Sequence, residues 1–327
     1  MEKNSAGKII LSICIPTCNQ PDELRRTLES LTSQMSPDVE IVIRDDSADG
    51  KSAKVAGEFQ NKISIRYFHG KKEGVDVAII FLTEEAKGKY VWWLGDDVVF
   101  PGTVEKFIKV VKEFPDITFL YMNSADYEGN QAAISSIKGS GFFKNGDEVV
   151  EKIAGFLGFC SATLFLREQV LLGISSAKKH IGTSWVTLYL AMYVVSRGGR
   201  LYFLDGQNFW SNPKSANIQT WYEPFQVFAV NFYYIVNEFK NYFSNKSLKI
   251  MLAKNFASVW RSILVYRAKD YKTGYGSDSP KLKIISKLYW SFPEFWIAFP
   301  MLLLPKSAVK IFYKIYKLIF KKIKNRY

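Results

Sequence analysis

The first third of the chain alternates between two hydrophobic periodicities. Short apolar, β-rich runs occur at Ile9 to Pro16, Val39 to Arg44, Ile63 to Phe68, Tyr90 to Leu94 and Ile117 to Met122. Between them, apolar residues recur at helical spacing. Leu24, Leu28 and Leu31 form one such face, entered through Asn19, Pro21, Asp22 and Glu23, a strong helix start. Gly74 to Lys87 and the stretch from Pro101 and Gly102 through Phe114 also read as helices. Strands alternating with amphipathic helices predict an α/β fold with a mostly parallel sheet.

Beyond Asn123 the alternation loosens. Gly146 to Leu157 and Ser184 to Arg197 read as helices, Cys160 to Leu166 and Arg200 to Leu204 as strands. From Phe225 to Tyr271 the sequence is helical and aromatic, and Gly274 to Pro280 reads as a loop. This divides the chain into an α/β domain over residues 1–215, a helical region over 216–288 and a C-terminal segment over 289–327.

Composition agrees with a packed protein, since 48% of the 327 residues are hydrophobic and 16% aromatic. Cys14, Cys18 and Cys160 cannot all pair within the chain and read as reduced thiols. The Cys14/Cys18 spacing lacks two further ligands for zinc. Met1 to Lys8 is polar, and the apolar run after it is broken by Pro16, Asn19 and Pro21, so no signal peptide is read and a cytoplasmic location is expected.

The net charge of +13 raises the question of nucleic acid. Residues 306–327 hold eight Lys or Arg and no acid, so the remainder carries only +5. With no zinc-finger or RNP-like signature in that remainder, a nucleic-acid partner is not expected.

In an open α/β sheet, ligands bind beyond the carboxyl ends of the strands. Three polar groups fall there: Pro16-Thr17-Cys18-Asn19, Asp45-Asp46 and Asp96-Asp97. Each alone also suits a turn or a helix cap. The sharpest is Gly95-Asp96-Asp97, delivered by the apolar strand Tyr90 to Leu94. Adjacent carboxylates call for a cation or a proton. Mg²⁺ binds one or two protein carboxylates and completes its shell with water and phosphate oxygens. The competing reading of Asp96-Asp97 is a solvated turn that caps the Pro101 helix.

Ser-Ile-Cys-Ile-Pro-Thr-Cys-Asn (12–19), Ile-Val-Ile-Arg-Asp-Asp-Ser-Ala-Asp (41–49), Gly-Val-Asp-Val-Ala (74–78) and Ala-Lys-Gly-Lys-Tyr-Val-Trp-Trp-Leu-Gly-Asp-Asp (86–97) together resemble the family 2 glycosyltransferases. The resemblance covers roughly residues 9–205. It implies the GT-A fold, a Rossmann-like nucleotide-diphospho-sugar-binding sheet with a D-x-D-like metal motif. Mn²⁺ or Mg²⁺ is the implied cofactor. By that resemblance Pro16, Thr17 and Asn19 line the nucleotide pocket and Asp46 hydrogen-bonds the base. Asp96 contacts the ribose or sugar, and Asp97 ligates the metal. Asp76 stands where many members carry Asn or Arg, also on the nucleotide-sugar side. The Leu-Gly-Asp-Asp form is similar to transferases of deoxy- or dideoxy-sugars in O-antigen assembly, within lipopolysaccharide biosynthesis.

The second half departs from that pattern. Where many members carry an acidic pair at the start of a helix, one acid being the catalytic base, this chain has Thr183 and Ser184. A hydroxyl is a poor base near neutral pH and an imidazole a suitable one, which singles out His180 just before the slot. Asp126, after the fifth strand, is the other candidate base, whereas His69 reads as structural.

The end of the chain carries a different signal. Tyr289 to Pro305 is rich in Trp, Phe and Leu but is interrupted by Pro293, Glu294 and Pro300 and is too short to span a bilayer. At about 100° per residue, Lys306, Lys310, Lys314, Lys317, Lys321 and Lys324 fall within an arc of roughly 80°. Val309, Ile311, Phe312, Ile315, Tyr316, Leu318, Ile319, Phe320 and Ile323 fill the opposite side. Such a helix suits an anionic membrane interface. The alternative is a helix docked on the protein's own core with its lysines in water.

The combined expectation is a metal-dependent transferase of hexosyl or deoxyhexosyl groups, peripheral to the cytoplasmic face of the inner membrane. Its donor is a nucleotide-diphosphate sugar and its acceptor a polyprenyl-diphosphate-linked saccharide. A nucleotidyltransferase is the enzymatic rival, but Asn19-Gln20-Pro21-Asp22 lacks the Gly-rich basic loop such an enzyme wants. A membrane-associated nucleotide-sugar-binding protein with a decayed site is the non-enzymatic one.

Overall fold

The computed structural model describes residues 9–125, 133–134, 136–211, 225–269, 279–305 and 307–315. The chain divides into two compact units, Met1–Asn217 and Ile218–Tyr327.

The first unit begins with β1 (Leu11–Thr17), α1 (Pro21–Thr32), β2 (Val39–Asp45), α2 (Lys51–Phe59), β3 (Ile65–His69), α3 (Val75–Glu85) and β4 (Tyr90–Trp93). It continues through β5 (Val98–Val99), α4 (Thr103–Glu113), β6 (Ile117–Met122), β7 (Gly141–Phe142) and α5 (Gly146–Ile153). It closes with β8 (Thr163–Leu166), α6 (Arg167–Ala177), α7 (Val186–Ser196), β9 (Arg200–Leu204) and β10 (Phe209–Trp210). Eight strands form one sheet in the order β3-β2-β1-β4-β8-β6-β9-β7, while β5 and β10 pair in a separate two-stranded ribbon. β3, β2, β1 and β4 run parallel, β8 is antiparallel to β4 and β6, and β9 is parallel to β6.

The central strands are apolar because helices cover both faces of the sheet. Ile13, Cys14, Ile41, Val42, Trp93 and Phe119 have no exposure, and Trp93 Nε1 donates to Thr83 Oγ1 in α3 at 2.9 Å. In α1 the buried residues are Leu24, Thr27, Leu28 and Leu31, the face its spacing predicts. Each buried leucine contributes roughly 1.5–3 kcal/mol.

Three boundaries differ from those expected, each for a backbone reason. The Gly146 helix stops at Ile153, because Ala154 takes a left-handed φ of 50° and a 3₁₀ segment, Ala154–Gly158, follows. Ser184 is left-handed too, at φ 63°, so α7 starts at Val186. Cys160–Ala162 forms a 3₁₀ turn, and only Thr163–Leu166 enters the sheet. The three cysteines are free thiols.

The second unit is helical. A π-helical turn, Gln226–Asn231, leads into α8 (Phe232–Glu238), followed by α9 (Asn245–Lys269), α10 (Ser279–Tyr289) and α11 (Pro293–Leu303). Tyr289 is its hub. Its ring stacks on Phe256 at 4.5 Å and meets Tyr233 edge-on at 5.4 Å, and its hydroxyl donates to Ala229 O at 2.8 Å. Residues 307–315 form a further helical stretch. Lys306, Lys317, Lys321 and Lys324 lie outside the described residues. No described helix is long and apolar enough to cross a membrane.

Candidate active site at the carboxyl edge of the sheet

The chain enters the sheet at β1, adds β2 and β3 on one side, then returns to place β4 on the other. This reversal makes a topological switch point between β1 and β4, where α/β sheets bind ligands. Register joins the loops there. Thr17 pairs with Asp45, Asp46 N donates to Thr17 O at 2.9 Å, and Leu94 N donates to Cys14 O at 2.9 Å. Pro16-Thr17, Asp45-Asp46 and Asp96-Asp97 therefore leave three adjacent parallel strands at one edge.

Asp97 is the most constrained group at this edge. It is 3% exposed, so the solvated-turn reading does not describe it. The N-cap of α4 is Gly102, with no side-chain cap, so Asp97 does not cap that helix either. Burial pushes its carboxyl up to about 6, against hydrogen bonds from Ser161 and Ser211 that lower it, and Asp96 adds a further upward push. Thr27 Oγ1 of α1 donates to Asp97 O at 3.0 Å. Ser161 also accepts from Gly95 N at 3.0 Å through Oγ, and its carbonyl accepts from Trp92 Nε1 at 2.8 Å. The antiparallel β8 thus starts at this edge and brings Ser161 under the Asp97 loop. The neighbouring Cys160 thiol, pushed up to about 12 by burial and then by Asp97, is not a nucleophile here.

Asp46 is 7% exposed, and its Oδ1 accepts from Arg44 Nε at 2.9 Å. Arg44 also pairs with Glu73 at 2.7 Å and lies 4.9 Å over the Phe81 ring. Asp45 accepts from Tyr67 Oη and Ser47 N. Asn19, at φ 56°, donates its N–H to Ser47 Oγ at 2.6 Å, which ties the β1 loop to the β2 loop. His69 Nε2 donates to Ser47 O at 2.8 Å, a structural role as expected.

Asp76 has a task that sequence did not reveal. It sits 5% exposed in the first turn of α3, and its carboxylate accepts from Gly182 N at 2.9 Å, Ser184 N at 2.8 Å and Val186 N at 3.1 Å. Burial raises its carboxyl, and these hydrogen bonds counter that rise. Asp76 therefore caps α7 from another element and holds the turn in which Gly182 (φ 89°) and Ser184 are left-handed. That turn occupies the sequence slot of the missing acidic pair. His180 ends the 3₁₀ turn Lys178–His180, is 6% exposed and lies 4.4 Å from the Tyr189 ring. Thr183 Oγ1 donates to His180 O at 2.6 Å. Asp126 lies outside the described residues.

Sequence reasoning did not name Ser161, Ser211, Thr27 or the Arg44–Glu73 pair. Small hydroxyls carry no motif, and their partners lie across the sheet. Asp97, Asp96 and the hydroxyls supply only oxygen donors, the chemistry of a hard divalent cation. Among the described residues no three His, Cys, Asp or Glu cluster around one point. Asp97 and Asp96 would hold such a cation, with water and phosphate oxygens completing its shell.

Comparison with known proteins gives a consistent answer. Residues 12–168 match the profile described as Glycosyl transferase family 2. An uncharacterized glycosyltransferase of Rickettsia bellii is 34% identical over 115 residues, 34% of this chain and 16% of that protein. The uncharacterized glycosyltransferase YibD of Escherichia coli K12 is 34% identical over 112 residues, 34% of this chain and 32% of that one. The chain thus spans well under half the length of these curated relatives. Among solved structures, S. aureus TarS 1-349 in complex with UDP-GlcNAc aligns with a TM-score of 0.64 at 14% identity, covering 87% of this chain and 82% of that one. Mannosyltransferase PcManGT from Pyrobaculum calidifontis, in complex with GDP-Man and Mn²⁺, aligns with a TM-score of 0.51 at 12% identity, covering 93% and 87%. At such identities the structural likeness bears on fold alone. Residues 12–168 are thus similar to glycosyl transferase family 2, and the sheet that they build around the β1/β4 switch point is that of the GT-A fold.

Proposed function

We propose that the protein is a metal-dependent glycosyltransferase that moves a hexosyl or deoxyhexosyl group from a nucleotide-diphosphate sugar to a saccharide acceptor. One observation carries this reading: the buried Asp97 at the β1/β4 switch point, held by hydroxyls of Ser161 in the turn before β8 and Ser211 after β10. A cation there would offset both the burial of Asp97 and the charge of neighbouring Asp96. Likeness to the family supports the donor class, and the Mn²⁺ complex of the Pyrobaculum mannosyltransferase supports the metal by analogy.

In the proposed reaction an acceptor hydroxyl oxygen bonds to the anomeric carbon as the bond from that carbon to the diphosphate oxygen breaks. The hydroxyl proton passes to a base and the electron pair leaves with the diphosphate. Mn²⁺ or Mg²⁺, when bound, supplies positive charge for the departing diphosphate. Asp97 ligates it, Asp96 faces the ribose or sugar, and Pro16, Thr17, Asn19 and Asp46 line the nucleotide side. Asp76 positions the 182–186 turn. His180, on that turn's flank, remains the proposed base with Asp126. The acceptor we propose is polyprenyl-diphosphate-linked, in O-antigen or other surface-polysaccharide assembly at the cytoplasmic face of the inner membrane.

The experiment is a panel of UDP-, GDP-, CDP- and dTDP-sugars with Mn²⁺, reading release of nucleoside diphosphate by wild type and Asp97→Ala. Turnover of one donor, lost in the variant by at least a hundredfold, is expected on the scale of a lost transition-state charge contact. Metal-dependent binding without turnover of any donor would favour the decayed binding protein instead.

A further inference from the structure

The apolar residues of the second unit are not all used for packing. In α11, Phe295, Ala298 and Leu302 are buried, the i, i+3, i+7 face that meets the rest of the unit. The opposite face is equally apolar yet open: Trp296 is 59% exposed, Ile297 67% and Leu303 56%. Trp290, just before the helix, is 62% exposed, and its carbonyl accepts from Trp296 Nε1 at 2.9 Å, so the two indoles stand together. A helix apolar all round is ordinarily enclosed by protein or by lipid.

The following stretch, 307–315, bears on the two readings of the basic amphipathic segment. A helix docked on the protein's own core would bury its apolar side and leave its lysines in water. Here Val309 is buried, but Ile311, Phe312 and Ile315 are 58%, 54% and 46% exposed, with Lys310 and Lys314 beside them. Charge narrows the occupant. From Ser279 to the end the chain has eleven Lys or Arg and a single acid, Glu294. Exposed tryptophans flanked by lysines and exposed aliphatic groups match an anionic lipid interface, where indoles sit at headgroup level and ammonium groups meet lipid phosphates.

We infer that the open face of α11 and residues 307–315 form one lipid-docking surface, by which the protein seats on an anionic bilayer without spanning it. This stands apart from the transferase reading, because a vesicle tests one and a sugar nucleotide the other.

The test uses the full chain with phosphatidylcholine vesicles and with vesicles of phosphatidylcholine and phosphatidylglycerol. Wild type should sediment with the anionic vesicles, its tryptophan emission should shift to the blue, and binding should weaken as NaCl is raised. The double variant Trp296→Ser/Ile297→Ser changes only exposed side chains. It should keep the wild-type melting temperature and donor binding but lose at least tenfold in vesicle affinity, as should Ile311→Ser/Phe312→Ser. Equal affinity of wild type and both variants would overturn the inference, as would equal binding to neutral vesicles. A concentration-dependent dimer in solution that the same variants abolish would also overturn it, making the face a contact between two copies.

Discussion

Asp97 is held in a position that is unfavourable for an ionised carboxylate in the absence of a cation. Its folded value, about 6, lies above the ordinary aspartate value, so the folded state binds the proton more tightly. The stability this group allows is intact below the unfolded value and is lost as pH rises through about 6. Asp97→Asn removes that penalty and should stabilise the metal-free protein at pH 8 by on the order of 1–3 kcal/mol. The gain should shrink towards zero near pH 4, and urea denaturation at the two pH values measures it. Asp76 is likewise raised by burial, but its carboxylate accepts from three backbone N–H groups. Asp76→Ala strands those donors and should cost about 2–4 kcal/mol, seen as a lower denaturation midpoint. The doublet Asp96-Asp97 was legible in sequence because an apolar strand runs straight into it. The brace made by Asp76 was not, since its partners lie more than a hundred residues away and are backbone groups that carry no sequence signature.

At the scale of elements, the site depends on how closely β1 and β4 are joined. Gly88, just before β4, passes so near β1 that a Cβ there would lie 2.6 Å from Ser12 N and 2.8 Å from Ser12 Oγ. Ser12 Oγ accepts from Gly88 N at 2.8 Å and donates to Glu40 Oε1 at 2.6 Å, and Lys87 N donates to Glu40 at 2.7 Å. Since the obstacle is backbone, Gly88→Ala must push the two strands apart and should destabilise by about 1–3 kcal/mol. A fall in melting temperature with weakened donor binding is the expected outcome. Unbroken apolar runs exposed β1, β2 and β4, which are buried on both faces, and the leucine spacing exposed α1, which buries one face. The two-residue strands β5, β7 and β10 escaped, being too short to show any period. The direction of β8 escaped as well: a strand's polarity in a sheet is set by the path of its connections, not by its side chains. With it went Ser161, whose place beside Asp97 follows only from β8 running against its neighbours.

At the scale of the whole molecule, sequence placed the excess charge in the tail and separated an α/β unit from a helical, aromatic one. It did not show that α11 would leave one apolar face open, since an apolar helix reads alike whether both of its faces are covered or only one. The two units are assigned different tasks, donor chemistry at the β1/β4 edge and lipid docking at α11, and these should be separable by mutation. Calorimetric titration of the intact protein with the four nucleotide-sugar classes tests donor binding at the β1/β4 edge. The titrations would be run in Mn²⁺ and in EDTA, beside Asp97→Asn. One class should bind in Mn²⁺ and at least tenfold more weakly in EDTA, and the folded variant should lose the metal-dependent part. Failure of the folded wild type to bind any donor, or a donor bound equally well in EDTA and by the variant, would contradict metal-dependent donor binding at this edge.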